Sequence, residues 1–141
     1  IVLKPKGVIY ALVDLECNII SMKEIKCSLK GIDRVKEALA ECIQDILSTY
    51  GSIKSRITAI GVSAPGIIGN DGCISYSTPL KTKDLDIVGL LKEQVYNVDY
   101  FIFKDTDALI LGEYNLGIGG EYNNYIYNGR RWSRYVIYTW R

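Results

Sequence analysis

The 141 residues contain no histidine and a single methionine, and the four cysteines stand apart at positions 17, 27, 42 and 73 with no Cys-x-x-Cys pair among them. Without histidine or paired thiols, few ways remain to build a zinc site. The cysteines read as reduced thiols of a reducing compartment, mostly buried. Charge of one sign is lacking too: 17 Lys and Arg face 16 Asp and Glu, for a formal net charge of +1. So small a net charge predicts no field able to hold phosphate backbones, and no nucleic-acid binding is expected of this segment alone. No apolar run reaches the roughly 18 to 20 residues of a membrane helix, and no basic, apolar leader opens the chain. A soluble, cytoplasmic protein with no membrane partner is expected. The chain opens on Ile1 rather than methionine, and an upstream segment is expected to be missing.

What is present is one domain's worth of patterned chain. "IVL" at 1–3 reads as a strand and "KPKG" as a turn. "VIYALVDLECNIISMKEIKCS" then reads as a hairpin of strands 8–15 and 18–27 joined at Glu16 and Cys17. In "GIDRVKEALAECIQDILSTYG" the residues Ile32, Val35, Leu39, Cys42, Ile43, Ile46 and Tyr50 recur at helical spacing, with Gly51 placed as a C-terminal cap. "ITAIGVS" at 57–63 is short and almost wholly apolar, which predicts a strand buried on both faces of a parallel sheet. Pro65-Gly66 and Asn70-Asp71-Gly72 are turn signals. Ile87, Leu90, Leu91 and Val95 mark a second helix, "YFIF" at 100–103 a second buried strand, and 106–116 a third helix.

An antiparallel three-strand meander followed by βαβ units is the ribonuclease-H-like α/β layout of actin-like ATPases and sugar kinases. In such open sheets ligands lie beyond the carboxyl ends of the strands. Asp105, in "FKDTDALILGEYNLG", stands at one of those ends, where a strand gives way to a helix. A carboxylate there serves equally well as a helix cap, with Thr106 as its rival, or as a base or ligand contact.

Three blocks, "ALVDLECNII", "AIGVSAPGIIGNDGCISYSTPL" and "FKDTDALILGEYNLGIG", together resemble the ROK family (repressor, open reading frame, kinase) at matching separations over residues 1 to about 127. That family holds sugar kinases and NagC/XylR-type transcriptional regulators. The resemblance implies a kinase-like amino-terminal lobe over 1–128, with Gly66, Lys104 and Asp105 as sugar contacts. In a kinase, Asp105 would be the general base and ATP with Mg the cofactor. The sequence departs from the kinases at three places. Phe103-Lys104-Asp105 stands for Glu-Asn-Asp, and Pro79 stands for an Asn that would hold the sugar. "VLKPKG" stands for Asp-x-Gly-Gly-Thr, with Val2 for the Asp and Lys4-Pro5 for the glycines of the phosphate turn.

Residues 129–141, "GRRWSRYVIYTWR", hold four of the six arginines and both tryptophans, and they replace a second glycine-rich loop. One set of codons for Gly129 to Trp132, read one base later, encodes Glu-Gly-Gly-Gly. A frameshift near Asn128 is therefore one reading; a divergent strand or a basic aromatic contact segment is the other. The chain also ends before the family's zinc motif and the Glu and His residues of its sugar site. The first expectation is a fragment of a sugar-responsive regulator: a sensing lobe without catalysis or cofactor, its DNA-binding helix-turn-helix upstream. A truncated ATP-dependent sugar kinase is the alternative, and a self-associating module, a homodimer formed through an exposed strand or the tail, is the third.

Overall fold

The computed structural model describes residues 1–122, 124–128 and 135–139. Residues 129–134 and 140–141 of the basic tail, on which the frameshift reading falls, lie outside the described residues. The chain divides into two compact units, 1–104 and 105–141.

The first unit begins with strands β1 (Val2–Lys4), β2 (Gly7–Val13) and β3 (Ile19–Ile25), the meander expected from the sequence but with shorter strands. Asp14 ends β2 early, because its Oδ1 accepts the amides of Glu16 (2.9 Å) and Asn18 (2.8 Å) and so folds a side-chain-closed turn. Helix α1 (Ile32–Thr49) follows, then a 3-10 turn (Gly51–Arg56) and strand β4 (Ala59–Ala64). Strands β5 (Ile67–Ile68), β6 (Cys73–Ser77) and β7 (Thr82–Asp86) form a separate antiparallel sheet. Helix α2 (Ile87–Lys92) then leads to strand β8 (Asp99–Lys104). The main sheet runs in the order β3-β2-β1-β4-β8, with β1, β4 and β8 parallel and β2 antiparallel to both of its neighbours.

The core lies on one face of this sheet. Leu3, Val8, Tyr10, Val62 and Ala64 meet Val35, Ala38, Leu39, Cys42 and Ile43 of α1, and Ile87, Leu91 and Val95 extend the cluster through α2. Each fully buried Leu or Ile contributes about 1.5–3 kcal/mol. Tyr10 also donates its hydroxyl to Asp45 Oδ2 (3.0 Å), and Lys23 Nζ reaches the same oxygen at 2.7 Å, so α1 is pinned to the β2–β3 pair. The exposed ion pair contributes little; the buried ring contributes more.

Three expectations are corrected here. Neither β4 nor β8 is buried on both faces: Ala59 and Gly61 are exposed, as are Phe101 (48%) and Phe103 (38%), because α1 and α2 cover a single face within this unit. Gly51 does not cap α1 in a left-handed conformation; Tyr50 closes the helix by donating to the Ile46 carbonyl (2.8 Å) and the 3-10 turn takes over. Of the cysteines, which are all free thiols, only Cys42 is buried. Cys27 and Cys73 are half-buried and Cys17, in a left-handed turn (φ 64°), is exposed.

The second unit consists of helix α3 (Asp105–Leu116), a 3-10 turn (Ile118–Glu121) and the antiparallel pair β9 (Asn124–Asn128) and β10 (Tyr135–Thr139), in register from Tyr135 opposite Asn128 to Thr139 opposite Asn124. Among the described residues no helix is long and apolar enough to cross a membrane.

Candidate functional site

Parallel pairing brings the carboxyl ends of β1, β4 and β8 to one edge of the first unit. Val2 lies opposite Ser63, and Ala64 lies opposite Lys104. The Pro65-Gly66 turn leaves β4 at this edge, so Gly66, one of the three residues expected as sugar contacts, lies two residues beyond Ala64, the strand partner of Lys104, which is another. Asp105, the third, is one peptide bond beyond Lys104 and opens α3.

Gly66 is required where it stands. Its φ of +143° is one that side chains rarely adopt, and a Cβ there would sit 2.6 Å from the Tyr76 carbonyl oxygen and 3.0 Å from Ser77 Cβ. Ser77 is fully buried. Its hydroxyl donates to the Pro65 carbonyl at 2.5 Å and accepts the Leu80 amide at 3.3 Å. The Leu80 carbonyl in turn accepts the Gly31 amide at 2.8 Å, ahead of α1. The Pro-Gly turn, the Thr78–Leu80 turn holding Pro79, and the start of α1 are thereby fastened to one another. Ser77 carries little local signal in the sequence beyond being a lone serine at the end of a strand, opposite Thr82. Thr82 is buried as well, and its Oγ1 has no hydrogen-bond partner among the described residues.

Asp105 supplies Oδ1 to the Thr106 amide at 3.0 Å, one of the free donors at the start of α3, and Thr106 Oγ1 bonds Asp107 Oδ1 at 3.3 Å. Asp105 and Asp107 both lie in the first turn, where carboxylates are favoured by the helix dipole. A bond from the Asp105 carboxylate to a free amide at the start of α3 is therefore present.

The β1–β2 turn does not fit a nucleotide phosphate cradle. Lys4 pairs directly with Gly7, which leaves only Pro5 and Lys6 at the tip. Pro5 has no amide proton, and its carbonyl accepts the Leu29 amide at 3.2 Å. Gly7 itself is packed against Ile25 and Lys26, with the Lys26 Cα 3.4 Å from where its Cβ would lie. Among the described residues no group of three or more acidic, cysteine or histidine side chains converges as a metal site.

Comparison with known proteins agrees with this architecture. The xylose repressor of Bacillus spizizenii is 26% identical over 116 residues, which cover 82% of this chain and 30% of the repressor; the chain thus spans less than a third of that relative. A crystal structure of a ROK family transcriptional regulator, a homologue of the E. coli MLC protein, superposes with a TM-score of 0.78 at 21% identity, covering 89% of this chain and 32% of that one. A ROK family glucokinase from Streptomyces griseus, in complex with glucose and AMPPNP, gives a TM-score of 0.74 at 14% identity, covering 89% of this chain and 38% of the kinase. These two likenesses show the actin-like fold. The ROK family model matches residues 6–128, from β2 through β9, and the chain therefore belongs to the ROK family.

Proposed function

We propose that this chain is part of a sugar-responsive transcriptional regulator, the amino-terminal lobe of its effector-sensing domain, and that it carries out no phosphoryl transfer. The observation behind this reading is the β1–β2 turn, where Lys4-Pro5-Lys6 replaces the amide-rich glycines that a kinase needs around phosphate. A curated relative that is a xylose repressor supports it. A sugar would bind at the carboxyl edge, with Gly66 allowing close approach of the main chain and Lys104 and Asp105 supplying side-chain contacts. In the intact regulator, a sugar that prefers one arrangement of lobes would shift the population and so alter affinity for DNA at a helix-turn-helix elsewhere in the protein. Asp105 would then be a ligand contact and not a base.

The fold likeness to a glucokinase, together with Asp105 at the carboxyl end of β8, keeps an ATP-dependent sugar kinase as the second reading. Both are tested by incubating the chain with Mg-ATP and a panel of pentoses and hexoses. Saturable sugar binding without ADP release is expected, and sugar-dependent ADP release that is lost in Asp105→Asn would falsify the regulator reading.

A further inference from the structure

Four connections are brought together at the carboxyl edge of the first unit: the β1–β2 turn at Pro5, the Leu29–Gly31 link into α1, the Pro65-Gly66 turn after β4 and the Thr78–Leu80 turn after β6. Main-chain bonds join three of them. The Leu29 amide donates to the Pro5 carbonyl at 3.2 Å, and the Gly31 amide donates to the Leu80 carbonyl at 2.8 Å. The fourth, the Pro65-Gly66 turn, is tied in by a side chain, since Ser77 Oγ donates to the Pro65 carbonyl at 2.5 Å and accepts the Leu80 amide at 3.3 Å.

Ser77 had another partner within reach of its strand. It stands directly opposite Thr82, which is 5% exposed, on the neighbouring antiparallel strand. Opposed serine and threonine hydroxyls in such a pair are natural partners. A serine has a single proton to donate, however, and here it goes to Pro65. Thr82 Oγ1 is left without a partner among the described residues, in a place closed to water. A buried polar orphan lowers stability, and folds tolerate such conflicts mostly where the geometry serves binding. What the Ser77 proton secures is the backbone at Gly66, where φ is +143° and no Cβ covers the main chain.

We infer that Ser77 is a positioning residue for the sugar. Being fully buried, it touches no ligand itself. It holds the Pro65-Gly66 turn at a fixed separation from the Thr78–Leu80 turn, so that both turns can contact one small ring. The inference rests on the sugar-binding reading above and adds to it the residue that sets the width of the site.

Titration calorimetry of the full chain tests it, with a panel of neutral pentoses and hexoses that includes xylose and glucose. For the sugar that the parent binds most tightly, Ser77→Ala should weaken affinity about tenfold, the equivalent of one displaced hydrogen bond. Two further variants separate this effect from a loss of stability. Ile43→Val trims the core face of α1 and should lower the urea midpoint with the affinity unchanged. Thr82→Val removes the orphaned hydroxyl and should raise the midpoint, again with the affinity unchanged. If Ser77→Ala binds as the parent does while its midpoint falls, the inference is overturned and the sugar-binding reading stands. An equal loss of affinity in Ile43→Val also overturns it, since stability and not position would then set the affinity. If the parent binds no sugar of the panel, the underlying reading fails and the inference with it.

Discussion

Ser77→Ala removes one oxygen from the interior, and its effect can be worked out from the structure. Ser77 has no solvent exposure, and its hydroxyl serves two main-chain groups, the Pro65 carbonyl at 2.5 Å and the Leu80 amide at 3.3 Å. Alanine leaves the carbonyl without this donor in a site closed to water, which costs about 1–3 kcal/mol. The Leu80 bond is longer and adds less, so a loss of about 2 kcal/mol is expected. With a slope of about 2 kcal/mol per molar urea for a chain of this size, the unfolding midpoint should fall by ~1 M with the slope unchanged. Ser48→Ala is the control: its hydroxyl also donates to a main-chain carbonyl, that of Asp45 at 3.0 Å, but at an exposed position where water replaces it. Urea unfolding followed by circular dichroism measures both variants. If Ser77→Ala unfolds within about 0.5 kcal/mol of the parent, Ser77 does not fasten the Pro-Gly turn and the account given for the site is wrong.

Thr82→Val keeps the shape of the side chain and removes a buried hydroxyl that has no partner among the described residues, so a gain of about 1 kcal/mol is expected in the same urea experiment; a loss would reveal a hydrogen bond made in solution. Tyr10 has its phenol pushed up to about 12, first by burial and then by its bond to Asp45. Its folded pKa lies above the ordinary value of 10.0, so the stability linked to the protonated phenol is complete below that pH and is lost as pH rises through about 12. An alkaline titration of phenolate absorbance should therefore lose a late-titrating component in Tyr10→Phe, and an unchanged curve counts against the buried bond. Burial likewise raises the Cys42 thiol to about 12 and, with weaker force, the thiols of Cys27 and Cys73. A thiol reagent at neutral pH should modify exposed Cys17 in a fast phase that Cys17→Ser abolishes, with Cys42 reacting only on unfolding; fast labelling of Cys42 would contradict the packing of α1.

Much of the fold was legible because its signals are local. The spacing of Val35, Leu39, Cys42 and Ile43 marks α1, and that stripe is the face it buries. Asn70-Asp71-Gly72 marks a turn that Asp71 closes by accepting the Cys73 amide at 2.9 Å, with Gly72 at φ 77°. What misled was inferring two-sided burial of β4 and β8 from apolar content: Phe103 is as apolar as a core residue, yet composition cannot say whether a helix lies over it. The position of Asp105 was readable from the strand-to-helix junction, and so was its capping bond to Thr106. Ser77 was not, because its partners Pro65 and Leu80 are brought to it by the β5–β6–β7 sheet, and nothing in the local pattern announces them.

By itself the sequence determined the order of the elements, the actin-like class and the altered β1–β2 turn, since strand alternation, helical period and the lost amide of Pro5 are properties of neighbouring residues. Only the tertiary structure decided which charges share an edge. A net charge is a sum, blind to position, and it does not say which charges share an edge. Parallel pairing of β1, β4 and β8 brings the strand ends at Lys4 and Lys104, one hundred positions apart, to one edge of the sheet, with the two lysines on opposite faces. Coulomb forces depend on that separation in space and not on separation along the chain.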